Sequence, residues 1–143
     1  MAIRFQADLT GITPTHLQGF FVGWLNVPTP ETFYRMLAES SHVSLALDED
    51  TGRVVAFAQA ISDGILTAFI PLLEVLPEYQ GHGLGREVME RLLTQLQDFY
   101  AVDLSCDEPL IPFYGQLGFT PGTAMAKRNY PAPINTAKSE PLS

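Results

Sequence analysis

The stretch Leu72-Leu73-Glu74-Val75-Leu76-Pro77-Glu78-Tyr79-Gln80-Gly81-His82-Gly83-Leu84-Gly85-Arg86 limits most what this chain can fold into. It opens as an apolar strand and turns through Pro77 and three alternate glycines. It then enters a helix that runs to about Phe99, with Val88, Met89, Leu92, Leu93 and Leu96 as its apolar stripe. Glycines let a backbone come close to a ligand, and the first N–H groups of a helix have no intrahelical acceptor. The helix dipole favours negative charge at the same end. The pattern therefore predicts an anion, of phosphate type, on residues 81–86.

The bulk numbers narrow the setting. A length of 143 residues suits one domain built on one core. The net charge of −8 argues against a nucleic-acid partner, which calls for a basic face, and is compatible with a cationic substrate. Cys106 is the single cysteine, so neither a disulfide framework nor a cysteine metal site is expected. The segment Met1 to Leu9 lacks a signal pattern, and no apolar run approaches the roughly 20 residues that span a bilayer. The expected compartment is the cytoplasm, with no membrane partner.

Read in order, Ile3 to Ala7 alternates as a first strand. Thr13-Pro14 is a helix start, followed by Leu17, Phe20, Phe21, Trp24 and Leu25 at helical spacing. Thr29-Pro30 repeats that signal ahead of Phe33, Tyr34 and Leu37. Val43 to Leu47 and Arg53 to Ile61 read as a hairpin about the turn 48–52. Ile65 to Val75 reads as a third strand interrupted at Pro71, which cannot donate to a ladder. After the glycine helix, Tyr100 to Cys106 reads as a strand and Leu110 to Leu117 as a short helix ended by Gly118. Phe119 to Tyr130 reads as a closing hairpin around Pro121-Gly122, and residues 131–143 as a disordered tail after a domain spanning 1–130. The predicted order is β-α-α-β-β-β-α-β-α-β-β, a mixed α/β fold with a mostly antiparallel sheet. The glycine helix joins two parallel neighbours.

Two nucleotide patterns fail. A P-loop needs Lys-Ser/Thr after the glycines, where this chain has Arg86-Glu87. A dinucleotide fingerprint has Gly-x-Gly-x-x-Gly at the first βα turn, where this chain has Gly81-x-Gly83-x-Gly85 after hairpins. Gln80-x-x-Gly83-x-Gly85 on a strand–turn–helix, followed by Phe113-Tyr114-Gly115-Gln116-Leu117-Gly118-Phe119, instead resembles the two motifs of the GNAT superfamily of N-acetyltransferases. The element order resembles that family over residues 1 to about 130.

The resemblance implies a chemistry for named residues. Acetyl-CoA would be the co-substrate, with no metal, and its pyrophosphate would lie on Gly81, His82, Gly83, Leu84, Gly85 and Arg86. Gln80 and Arg86 would add side-chain contacts. Val75 would pair with the pantetheine arm, and the Leu73 N–H would point at the thioester carbonyl as an oxyanion-type donor. Tyr114 would protonate the departing thiolate as general acid. Glu74 is the candidate base for the amine, although alternation turns its side chain away from those of Leu73 and Val75. Asp63, His42 and Asp103 are weaker candidates, and His82 and His16 are expected at the surface. Asp107 stands where many members have Asn, and can cap the short helix. Cys106 reads as a packed thiol.

The acceptor wall would be Phe20, Phe21, Trp24, Phe33 and Tyr34, which suits a small hydrophobic or cationic amine, with a peptide amine left open. The expected reaction is direct transfer in a ternary complex. The alternative, kept open by Asp107, is a catalytically silent acetyl-CoA-binding sensor or partner-binding module. The resemblance also allows a homodimer.

Overall fold

The computed structural model describes residues 1–135. Among these residues six strands form one sheet: β1 (Ile3–Gln6), β2 (His42–Asp48), β3 (Val54–Ser62), β4 (Thr67–Phe69), β5 (Leu73–Val75) and β6 (Ala101–Asp103). Their order is β1-β2-β3-β4-β6, and β5 also pairs with β3. Every pairing is antiparallel except that of β4 with β6. The fold is mixed α/β with a mostly antiparallel sheet flanked by helices, as expected.

Alternation along β3 sorts the two faces. Ala58 pairs with Ser44, whose hydroxyl donates to Val88 O at 2.7 Å, so this face meets α2 (Leu84–Gln95). The alanines at 56, 58 and 60 are wholly buried and let the helix approach, while Leu84, Val88, Met89 and Leu92 fill the contact. Phe57 points the other way, onto Phe33 of α1 (Pro30–Ala38), with ring centroids 4.7 Å apart. Helix α1 begins as the sequence predicts, with Thr29 Oγ1 accepting from Thr32 N–H and Pro30 in the first turn.

Four expectations change. The helix expected after Thr13 is only a 3-10 turn, Pro14–His16. Gly19 and Gly23 adopt φ of 92° and 84°, which no right-handed helix contains, so Leu17, Phe20 and Phe21 reach the core from a looped segment. The third strand is split into β4 and β5 around Pro71. The closing hairpin over 119–130 does not form: no strand is present there and residues 120–130 are exposed. Pro121 offers no N–H, and the run lacks an apolar face to bury against the sheet. The short helix near 110–117 is a 3-10 turn, Glu108–Leu110, running into α3 (Ile111–Gly115).

The tail expected for 131–143 lies, from 136 on, outside the described residues. Within it Asn135 Oδ1 accepts from Thr29 N–H at 2.8 Å, and its Nδ2 donates to Val27 O at 3.1 Å.

Candidate active site

The strand β5 is half paired. Leu76 N–H donates to Val55 O at 2.9 Å, and Gln59 N–H reaches Leu72 O at 3.4 Å. In an antiparallel ladder alternate residues carry the bonds, so 72, 74 and 76 face β3 and the backbone groups of Leu73 and Val75 face outward. Among the described residues no strand pairs with that outer edge, because β6 bonds β4 and leaves β5 alone. The break at 70–72 opens the sheet here. Ile70 N–H on Asp103 O, at 2.9 Å, is the last bond before the divergence.

A cleft of about 1680 Å³ occupies this opening. Leu72 lines it from just ahead of β5 and Leu73 from β5 itself, Asp103 from the end of β6, and Tyr114 from α3, with Trp24 and Phe69 as exposed aromatic walls. The glycine turn is not part of the lining; it lies beyond the other end of β5.

At that turn Gly81 and Gly83 take φ of 82° and 78°, so Gly83 is a left-handed N-cap for α2. The first helix N–H to find an intrahelical acceptor is that of Glu87, on Gly83 O at 3.1 Å. Those of Leu84, Gly85 and Arg86 point out of the helix end and meet no acceptor among the described residues, which suits a phosphate. Gly85 sits against β5: a Cβ there would stand 3.4 Å from Val75 Cγ2. The side chains of the turn are engaged differently from the expectation. Gln80 Nε2 donates to Val75 O at 3.1 Å. Arg86 Nε donates to Glu90 Oε1 at 2.8 Å and Nη1 to Gln116 Oε1 at 3.1 Å. His82 is exposed.

Tyr114 is half-buried, with its ring edge-on to Phe113 and Phe119 at centroid distances of 5.0 and 6.0 Å. Burial first, and then the neighbouring Cys106, push its phenol above the ordinary tyrosine value, so it is a protonated donor at neutral pH. Cys106 is an exposed free thiol on the same cleft, not a packed one. Asp107 also lines the cleft; its side chain caps no helix, and only its carbonyl is used, by Leu110 N–H.

The Glu74 carboxylate projects onto the α1 face, where Oε1 and Oε2 accept from Phe21 N–H at 2.8 and 3.0 Å, and Oε2 from Val22 N–H at 3.3 Å. Of the weaker candidates, Asp63 Oδ1 accepts from the N–H groups of Ile65, Leu66 and Thr67, which hold its carboxyl below the usual range. His42 Nδ1 meets Gln95 Oε1 at 3.2 Å.

The aromatic wall is corrected. Phe20, Phe21 and Phe33 are core residues, 5%, 2% and 1% exposed, and Tyr34 does not line the cleft. Only Trp24 of the expected set faces it, joined by Phe69. The signal for Phe69 was its place on the strand just ahead of Pro71. Among the described residues no cluster of side chains suits a metal ion, and no helix is long and apolar enough to cross a membrane.

The chain is similar to known proteins in sequence and in fold. The crystal structure of a putative acetyltransferase from Deinococcus radiodurans R1 superposes with a TM-score of 0.90 at 48% identity, covering 95% of this chain and 94% of that one. An uncharacterized N-acetyltransferase of Porphyra purpurea is 35% identical over 101 residues, 68% of this chain and 58% of the relative. A chloroplastic serotonin N-acetyltransferase of Oryza sativa is 39% identical over 93 residues, 62% of this chain and 46% of the relative. The chain thus spans about half the length of these two relatives. The family profile described as acetyltransferase (GNAT) matches residues 10–119, which carry the glycine turn, the open strand β5 and Tyr114, and the chain belongs to that family.

Proposed function

We propose that the protein moves an acetyl group from acetyl-CoA to a primary amine, with an arylalkylamine as the acceptor class, by direct attack in a ternary complex. The observation that carries this reading is the outer edge of β5, which no strand covers among the described residues and which runs from the glycine turn to the cleft lined by Tyr114, with Val75 O alone engaged, by the Gln80 side chain. Such an edge offers backbone donors and acceptors to an amide-bearing arm, in the manner of an added strand.

Within this reading the N–H groups from Gly81 to Arg86 hold the pyrophosphate, and Val75 pairs with the pantetheine. The Leu73 N–H donates to the thioester carbonyl oxygen, where negative charge grows as the amine adds. The new N–C bond forms as the C–S bond breaks. Tyr114 gives its phenol proton to the departing sulfur and regains one from solvent. Glu74 takes the amine proton through a water. Its oxygens accept from two N–H groups, that of Phe21 shared between both oxygens and that of Val22, and a carboxylate has about four acceptor sites, so capacity for a water remains.

The acceptor class rests on Trp24 and Phe69, exposed in the cleft, and on Asp103 and Asp107, which favour a cation; Arg128 also borders it. The name of the rice relative points the same way. The test is calorimetry with acetyl-CoA together with thiol release against tryptamine, aliphatic diamines and a short peptide. Amine-dependent release greatest for tryptamine supports the reading. Tight acetyl-CoA binding without release for any amine favours a silent acetyl-CoA-binding module.

A further inference from the structure

Phe21 has a φ of 65° and is the one residue other than glycine in the left-handed region among the described residues. That conformation is disfavoured for a bulky side chain and persists only where the surroundings fix it. Two features fix it. The Phe21 ring is buried edge-on to Phe33, with centroids 4.9 Å apart. Its backbone N–H and that of Val22 converge on the Glu74 carboxylate, forming a nest of successive donors around an anion.

The turn closed by this nest ends at Trp24. Trp24 N–H donates to Phe21 O at 3.1 Å, and its ring stands edge-on to that of Phe21 with centroids 4.9 Å apart. Trp24 is 46% exposed and lines the cleft with Phe69, Leu72 and Leu73. A continuous path therefore runs from β5 through Glu74 and the Phe21–Val22 nest to the exposed indole.

We propose that Glu74 is a positioning residue for acceptor specificity, in addition to any part it takes in proton transfer. Its carboxylate sets the place of Trp24, and the ring of an arylalkylamine packs against that indole. The ring contact rests on the acceptor class proposed above, whereas the Glu74–Trp24 strut does not.

Trp24 is the only tryptophan in the chain, so its fluorescence reports its position without a substrate. Glu74→Ala is expected to red-shift the emission and to raise acrylamide quenching, while Glu74→Gln, whose amide oxygen still accepts from the nest, stays near the unmodified protein. Unchanged quenching in a Glu74→Ala protein with native circular dichroism overturns the strut. If the alanine variant does not fold, Glu74→Asp, one methylene short of the nest, takes its place and is expected to shift quenching in the same direction. Tryptamine affinity, measured by calorimetry on protein saturated with CoA, supplies the second arm. Trp24→Ala and Glu74→Ala are each expected to weaken it about tenfold, the loss of one aromatic contact. The double variant is expected to weaken it no further, because the two residues act as one. Additive losses overturn the path through Trp24. If the unmodified protein does not bind tryptamine, the acceptor class fails and the fluorescence arm alone decides the strut.

Discussion

Arg86 Nη1 donates to Gln116 Oε1 at 3.1 Å and thereby ties the first turn of α2 to the end of α3. Arg86 follows the glycines, and Gln116 is two residues beyond Tyr114. The bond joins the anion-binding end of the proposed site to its acid. The same guanidinium pairs with Glu90 at 2.8 Å, and both side chains of that pair are about half exposed.

Exposed pairs of this kind contribute at most about 1 kcal/mol, so Arg86→Ala is expected to change the melting temperature little. Its effect should appear in function. The cation beside the proposed phosphate is lost, and the KM for acetyl-CoA is expected to rise several-fold with a weaker salt dependence than in the unmodified protein. Gln116→Ala, which frees the guanidinium but keeps its charge, should leave that salt dependence in place. Initial rates at two ionic strengths separate the variants.

Tyr79, in the 3-10 turn that leads into the glycines, donates to Asp48 Oδ2 at 2.6 Å. That bond, and then the Asp50 N–H, hold the Asp48 carboxyl below its ordinary value; the same bond, and then burial, raise the Tyr79 phenol. The depressed carboxyl stabilises the fold above its unfolded value of about 3.9 and loses that contribution as pH falls through the folded one. The raised phenol stabilises below about 10 and loses its contribution as pH rises through the folded value. Tyr79→Phe is therefore expected to melt earlier than the unmodified protein between these limits. The difference should shrink on both the acid and the alkaline flank. Melting temperatures across the pH range give the profile; a constant difference at all pH values would refute the assignment.

Gly83 is the N-cap of α2 at a φ of 78°, with open space where a Cβ would stand. Asn and Asp tolerate that conformation better than other residues and both serve at an N-cap, so neither substitution should unfold the protein. They differ in charge alone. If an anion rests on the N–H groups that follow, Gly83→Asp should weaken acetyl-CoA binding by at least about tenfold more than Gly83→Asn, since like charges repel at close range. Calorimetry on the pair decides it. Equal affinities would remove the pyrophosphate from this turn.

Residue spacing carried some of these elements and could not carry others. Thr29-Pro30, the stripe of α2 and the glycine turn are local signals, complete within one or two helical turns, and each stands where the sequence places it. The segment after Thr13 has helical spacing at Leu17, Phe20, Phe21 and Trp24, yet Gly19 and Gly23 lie inside it with positive φ. Burial alone makes the same stripe in a loop, and the glycines were the signal to the contrary. The nest on Glu74 had no sequence signature, because its partners are 53 residues apart and the donors are backbone groups. The outer edge of β5 was expected from the family resemblance rather than from the strand's composition, since which edge stays unpaired depends on β6 bonding β4.

Tyr114 gives the sharpest kinetic expectation. Its ring packs against Phe113 and Phe119, contacts that phenylalanine retains. Among the described residues no hydrogen bond holds its hydroxyl, so Tyr114→Phe should keep the melting temperature. If the phenol protonates the leaving thiolate, kcat should fall about a hundredfold or more while the KM for acetyl-CoA stays nearly constant. Burial raises the phenol above its ordinary value, so the alkaline loss of kcat in the unmodified protein should lie above pH ~10, where a free tyrosine ionises. That limb should disappear in the variant. A thioester with a more acidic thiol needs less help in leaving, and the gap between the two proteins should narrow with it. Steady-state rates with acetyl-CoA and with such an analogue test the role, and an unchanged kcat in Tyr114→Phe would refute it.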